Sequence, residues 1–304
     1  MQTILGANGV IGHELSKHLL RYTQQIRQVS RNPKAVNPSD EVVKANLLNY
    51  QETERAVAGS EVVYLVAGLI YDTNTWQQQW PVVMQNTIDA CKKHAARLVF
   101  FDNVYGYGAV KGRMMEDTPF NPISKKGEVR AKIATQLLDE IRAENLNALI
   151  VRAADFYGPG AKLSMIHSTL TERLKAGKKA QWIGNPKKIH TFTYTPDAGY
   201  SVAVLGNSKE AYNQTWHALT SDEQMTGEQL VNLAYQIMNT PNKGVQVLSR
   251  TGVKLIGVFV PVLRELVEMM YQFEDDYIFD SSKIARFLKS PATAYQAGLR
   301  EMLR

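Results

Sequence analysis

Gly6, Gly9 and Gly12 follow directly on the short apolar run Met1–Leu5, a spacing that describes a strand turning tightly into a helix. Such a turn aims the unpaired first N–H groups of the helix, and the positive end of its dipole, at an anion. Without side chains at Gly6 and Gly9 a diphosphate can reach the main chain, while Gly12 lets the helix lie close to the strand. The chemistry implied is the binding of a dinucleotide, with Asn8, Val10 and Ile11 completing the turn. About twenty residues further on, where a ribose-binding acid would stand, the second apolar run ends in Val29-Ser30-Arg31-Asn32-Pro33. A carboxylate there would repel a 2′-phosphate, whereas a guanidinium grips one in a forked geometry. Arg31 therefore favours NADP(H) as the cofactor, with NAD(H) as the second option.

Other reactive side chains are less organised. His94, His167, His190 and His217 are dispersed and lack the spacing of zinc ligands, so no metal site is expected. Glu274, Asp275 and Asp276 read as an exposed helix end. Tyr105, Tyr107 and Tyr157 fall near the same edge as the glycine turn, each first a packing residue with a satisfied hydroxyl.

Positioning these residues requires alternating elements. Apolar runs predict strands at Met1–Leu5, Ile26–Ser30, Val62–Ala67, Leu98–Asp102 and Leu149–Ala154. Helical spacing predicts helices at Gly9–Tyr22, Tyr50–Val57, Trp76–Ala95 and Lys126–Glu144. The order implies an α/β, Rossmann-type doubly wound parallel sheet with helices on both faces. Shorter pieces after Gly160 fit a smaller C-terminal substrate lobe. Residues 1–160 are thus expected to form the dinucleotide-binding domain and 161–304 mainly the substrate lobe, with segments near 190–220 returning to the sheet. Thr226 followed by Gln229 reads as a capping box opening a helix.

Composition narrows the partners. A net charge of +6 is spread over short pairs such as Lys92–Lys93, Lys178–Lys179 and Lys187–Lys188, which predicts solvated faces and no nucleic-acid partner. The single cysteine, Cys91, can form no internal disulfide, and its helical setting implies a buried thiol. The chain opens on a strand instead of a secretory signal, so a cytoplasmic location is expected. The apolar run Val253–Leu263 is about half the ~20 residues needed to span a bilayer and contains Pro261. It reads as a buried or ligand-lining helix, with no membrane partner. The expected partner is a small-molecule substrate. Phe259, Val262, Leu266, Met269, Met270 and Phe273 mark an apolar stripe, read first as core. If some face the cleft, the substrate has an apolar portion; if instead it is a nucleotide sugar, Lys187, Lys188 and His190 are available to its diphosphate.

Taken together, these motifs resemble those of extended and atypical short-chain dehydrogenase/reductases, the NAD-dependent epimerase/dehydratase family. Beyond the GANGVIG turn, Ala45-Asn46-Leu47 is similar to the family's adenine-touching segment, and Val66-Ala67-Gly68 to its strand end beside diphosphate and ribose. Asn86 matches a helix asparagine of the extended group. Val151–Gly160 resembles the RxxNxYGPG turn, with Asp155 in place of the asparagine, and Thr193–Asp197 and Asp280–Pro291 resemble later family segments. The resemblance implies cofactor contacts at Asn46, Leu47, Ala67, Gly68, Ala153 and Ala154, and substrate contacts at Asp155 and Tyr157.

In that family a Ser/Thr at a strand end works with Tyr-x-x-x-Lys on the next helix, the lysine lowering the phenol pKa for proton exchange. Aligned on Tyr107-Gly108, Asn103 takes the Ser/Thr position, Lys126 the tyrosine and Arg130 the lysine. The resemblance then implies that Asn103 donates to an oxyanion, Arg130 holds the nicotinamide ribose and Lys126 serves as proton donor, with Tyr105 and Tyr157 as alternative phenols. The implied function is an epimerase/dehydratase-like oxidoreductase acting on a small carbonyl or hydroxyl compound or a nucleotide sugar. The alternative is a non-catalytic NADP(H)-binding sensor or regulator of the same fold. The family also implies a homodimer built on the helices Trp76–Ala95 and Lys126–Glu144.

Overall fold

The first half of the chain alternates strand and helix as its pattern predicts. The computed structural model describes residues 1–304 and gives β1 (Gln2–Leu5), α1 (Val10–Leu19), β2 (Ile26–Ser30), β3 (Glu41–Lys44), α2 (Tyr50–Val57), β4 (Val62–Leu65), α3 (Thr73–Lys93) and β5 (Arg97–Asn103). Then come a short strand β6 (Arg113–Met114), α4 (Lys125–Arg142), β7 (Ala148–Ala153) and β8 (Asp155–Tyr157), followed by α5 (Glu172–Lys175), β9 (Ala180–Ile183), β10 (Phe192–Tyr194), α6 (Thr195–Asn207) and β11 (Thr215–His217). Seven strands form one parallel sheet in the order β11-β7-β5-β4-β1-β2-β3. The chain order reverses between β1 and β4, and the crevice at their carboxyl ends is where this architecture binds ligands.

β1 and β4 are buried at every position, as expected of central strands covered on both faces. Leu15 of α1 and Val202 of α6 belong to the core on one face; Trp80 and Met84 of α3 and Ile133 of α4 belong to the core on the other. Side-chain caps set three helix starts: Asn49, Asp72 and Ser124 accept the N–H groups of Glu52, Thr75 and Gly127. The Asp72 cap is why α3 begins before Trp76. β3 was not legible as a strand, because an exposed edge strand has no buried face to impose an apolar pattern. Cys91 is buried in α3, and burial pushes its thiol pKa up.

The remaining elements are α7 (Gly227–Ile237), β12 (Val245–Leu248), α8 (Arg250–Gly257), α9 (Pro261–Leu266), β13 (Ile278–Phe279), α10 (Ser282–Leu288) and α11 (Tyr295–Leu303). The capping box is present: Thr226 Oγ1 accepts from the Gln229 N–H, and Gln229 Oε1 accepts from the Thr226 N–H. Tyr157, Trp182, Phe192, Tyr194 and Tyr295 build a separate core beneath α7 and α11.

One expectation is corrected. Val253–Leu263 is neither a buried helix nor a cleft lining: it folds as parts of α8 and α9, and within α8 only Val253 and Gly257 are buried. Val253 packs with Ile183, Met270 and Phe273; the rest of the hairpin projects beyond that support. Met269, Met270 and Phe273 are core, whereas Phe259 and Val262 are exposed.

Candidate active site

The glycine turn is built as its spacing demands. Gly6 adopts φ +91°, and a Cβ there would lie 2.3 Å from Ala67 Cα, so only glycine brings β1 and the end of β4 this close. Gly9 caps α1 without a side chain, and a Cβ on it would meet no protein atom nearer than 3.5 Å. The first turn of α1, including Val10, Ile11 and Gly12, contains no acid. Asn8 Nδ2 donates to the Asn32 carbonyl at 2.7 Å and ties the turn to the loop after β2. Arg31 in that loop is exposed. Ala67 and Gly68 follow β4, while Ala153 and Ala154 stand at the end of β7 beside Asn103. Asn46 and Leu47 lead into α2, where the Leu47 carbonyl accepts from Asn86 Nδ2 at 2.9 Å. The residues fit a dinucleotide: an uncapped helix start, an open face over Gly9 and apolar or small residues along the carboxyl edge.

The positions assigned to catalysis by resemblance are each engaged by groups of the protein itself. Lys126 is fully buried, and its Nζ contacts Thr73 Oγ1 (2.9 Å), Glu265 Oε2 (2.6 Å), Glu268 Oε1 (2.8 Å) and the Glu265 carbonyl (3.1 Å). Three ammonium protons meet four acceptors, which leaves none to give to a substrate. Lys126 therefore joins α4 to α3, to α9 and to the segment after it. Arg130 is turned to Asp102, with Nε 2.7 Å from Oδ1, and its guanidinium lies 4.4 Å from the centre of the Trp80 ring. At 4% exposure it sits within the core. Asn103 Oδ1 accepts the Tyr105 N–H at 3.0 Å. Tyr157 packs between Tyr194 and Tyr295 in the small-lobe core, away from the carboxyl edge of the main sheet.

A second constellation forms where the chain passes from β7 of the main sheet to β8, which pairs with β10. Asp155 Oδ2 lies 2.9 Å from Nε2 of His190, which is 2% exposed and ends the loop before β10. The imidazole is held flat between Phe273 and Tyr277, with ring centres 4.7 and 4.4 Å away. Tyr71, Tyr105, Tyr271 and Tyr277 are all close enough to Asp155 for its charge to act on their phenols. Burial first, with that charge adding to it, raises the pKa of each, Tyr271 to about 12. These phenols stay neutral, and Tyr105 is paired with Tyr71. The Tyr271 and Tyr277 hydroxyls are both buried, the first beside the Ser124 side chain and the second beside the Asp155 backbone. The sequence reading missed His190, Tyr71, Tyr271 and Tyr277 as members of one site. Tyr71 follows closely on Val66-Ala67-Gly68, and His190 stood out only as a group available to a diphosphate.

Behind the site runs a buried polar seam. Asp102 and Arg152 are register partners on β5 and β7, and Asp102 is shared between Arg130 and Arg152. Arg152 Nη1 donates to the Tyr107 hydroxyl at 2.8 Å, and that hydroxyl lies 2.9 Å from His217 Nε2. With Nδ1–H of His217 donating to the Asp280 carbonyl, Nε2 is the acceptor, the tautomer being assigned from these partners. Burial lowers the His217 pKa from 6.5 to about 3. Because the folded value lies below the unfolded one, the unfolded chain binds more protons between them, and stability falls as pH drops from 6.5 toward 3. A urea-midpoint profile over that window is expected to be flatter in His217→Gln than in the parent.

The sheet order, the uncapped glycine turn and the carboxyl-edge site define a dinucleotide-binding α/β protein. Residues 3–214 match the family model described as NAD dependent epimerase/dehydratase family, and the chain belongs to that family. A curated relative, 3beta-hydroxysteroid-dehydrogenase/decarboxylase isoform 2 of Arabidopsis thaliana, is 25% identical over 170 residues, which make up 52% of this chain and 29% of that protein. The chain thus spans under a third of that relative's length. Among solved structures, dTDP-glucose 4,6-dehydratase from Bacillus anthracis in complex with NAD superposes with a TM-score of 0.81 at 15% identity, covering 99% of this chain and 94% of that one. UDP-glucuronic acid 4-epimerase from Bacillus cereus, in complex with UDP-glucuronic acid and NAD, also gives 0.81, at 19% identity, with 100% and 98% covered. At these identities the structural likeness establishes the fold alone.

Proposed function

We propose that the chain is an NADP(H)-preferring oxidoreductase or epimerase acting on a hydroxyl or carbonyl group of a small compound with an apolar body. The observation that carries this reading is the Asp155–His190 pair at the carboxyl edge, ringed by four phenols. A bound nicotinamide supplies the hydride acceptor or donor. Asp155 takes the proton of the substrate hydroxyl, as a general base must. His190, clamped between Phe273 and Tyr277, donates from Nε2 to Asp155 and fixes the carboxylate's direction. Tyr71, kept neutral and accepting from the buried Tyr105 hydroxyl, donates a hydrogen bond to the substrate oxygen.

Two of the three cations expected for a nucleotide-sugar diphosphate are engaged by carboxylates of the protein, which favours the smaller, more apolar substrate. His190 is committed to Asp155, Lys188 lies 3.8 Å from Asp275, and Lys187 is exposed. The curated relative's name, a hydroxysteroid dehydrogenase/decarboxylase, describes a hydroxyl on an apolar ring. The deciding experiment follows nicotinamide fluorescence across ketones, hydroxylated apolar rings and nucleotide sugars. Turnover with an apolar hydroxyl or carbonyl compound is expected. Tight cofactor binding without turnover across the panel would favour the sensor reading, which the engagement of Lys126 and Arg130 by carboxylates of the protein supports.

The NADP(H) preference rests on Arg31, exposed at the loop to which Asn8 is tied. Arg31→Ala is expected to weaken NADPH binding about tenfold, the loss of a charge-assisted phosphate contact of about 1.4 kcal/mol, and to leave NADH binding unchanged. Titration calorimetry with both cofactors checks this; equal losses for the two would remove the assignment. A cytoplasmic setting and a homodimer through α3 and α4 belong to the same proposal. These helices lie side by side, with Gln136 donating to Gln85 at 2.6 Å and Lys92 to Glu140 at 3.0 Å, and Val82 exposed on α3.

A further inference from the structure

The hairpin formed by α8 and α9 carries the chain's most concentrated exposed apolar surface. Phe259 is 86% exposed, Val258 72%, Leu255 66% and Val262 54%, with Ile256 and Val260 beside them. Scattered apolar residues on a surface need no explanation, but a contiguous projecting tip of this kind marks a contact. Residues 250–264 read RTGVKLIGVFVPVLR, with three cations and no acid. Arg250 pairs with Glu274; Lys254 and Arg264 are exposed, flank the apolar tip and form no ion pair. No helix of the chain is long and apolar enough to cross a membrane, and a hairpin of this length can only lie at an interface.

From this distribution we infer that the α8–α9 hairpin is a membrane-docking element, with Phe259 and its aliphatic neighbours entering the acyl boundary of an anionic bilayer while Lys254 and Arg264 meet the lipid headgroups. An amphipathic element binds a bilayer through apolar insertion plus attraction of flanking cations to anionic lipid. The charge pattern selects this occupant over a second copy of the chain. A two-fold contact through the tip would bring Lys254 and Arg264 toward their own counterparts with no acid in the hairpin to neutralise them. The expectation of no membrane partner rested on the run being too short to span, which has no bearing on interfacial binding. The same element leads through Glu265 and Glu268, which hold Lys126, to Tyr271 and Phe273 of the proposed site. Docking would therefore set the mouth of that site at the lipid surface, although the docking itself does not depend on the proposed chemistry.

Co-sedimentation of the full chain with vesicles tests this without substrate. The parent is expected to partition onto phosphatidylcholine vesicles containing phosphatidylglycerol, more weakly onto phosphatidylcholine alone, and less as salt is raised. Val258→Ser with Phe259→Ser is expected to abolish partition at an unchanged melting temperature, since both side chains are exposed. Lys254→Gln with Arg264→Gln is expected to cut partition onto the anionic vesicles about 30-fold, as two headgroup contacts of about 1 kcal/mol each imply. Absence of partition by the parent, or full partition by the double serine variant, overturns the inference. So does light scattering showing a dimer that the serine variant dissociates while neither protein binds vesicles; that result would assign the tip to a second copy.

Discussion

Asp155→Asn is expected to lower kcat by about 10²–10⁴-fold, the range over which a positioned general base contributes, with cofactor affinity unchanged. The amide keeps the size of the carboxylate and its place beside His190 but cannot accept the substrate proton. The glycine turn proposed to bind the cofactor belongs to β1 and α1, remote in sequence from Asp155, so cofactor titration is the internal control for folding. His190→Gln separates base from positioner. If His190 acts only by orienting Asp155, the glutamine variant keeps partial activity, because an amide can still donate to the carboxylate that His190 meets at 2.9 Å. Full activity in Asp155→Asn would eliminate the carboxylate as base and return attention to the Tyr71 and Tyr105 phenols. Stopped-flow reduction of the nicotinamide, read in both variants, makes the distinction.

Asp102→Ala is expected to have the largest effect on stability, about 3–5 kcal/mol, as breaking a buried ion pair by removing one partner does. Asp102 is 3% exposed, Arg130 4% and Arg152 2%. Removing the carboxylate leaves two buried guanidiniums facing each other across the gap, with Arg152 already holding one Nη2 without a partner. Urea unfolding measures the loss. Adding Arg130→Met to Asp102→Ala is expected to recover part of it, since a thioether chain can lie over Trp80 without demanding a counter-charge. No recovery would mean that Arg130 is satisfied elsewhere once Asp102 is gone.

The glycine turn between β1 and α1 was legible because its determinants are local. A glycine that must approach Ala67, a helix start without a side-chain cap and a following apolar stripe lie within a dozen or so residues, and backbone geometry within such a stretch follows from residue type. The central strands were legible for a related reason: burial on both faces imposes unbroken apolar runs. By the same logic β3, exposed along an edge, left no such trace.

What only the tertiary structure decided is pairing across sequence distance. Spacing on α4 places Lys126 and Arg130 one turn apart, but whether they face a ligand or a carboxylate depends on Glu265, Glu268 and Asp102, contributed by other elements. Asp155 reads as a substituted turn residue until the chain returns 35 residues later to set His190 against it. Val253–Leu263 reads as core from its composition, yet apolarity states only a preference for leaving water. What covers a side chain is settled by the neighbours that the fold supplies, and around Phe259 it supplies few.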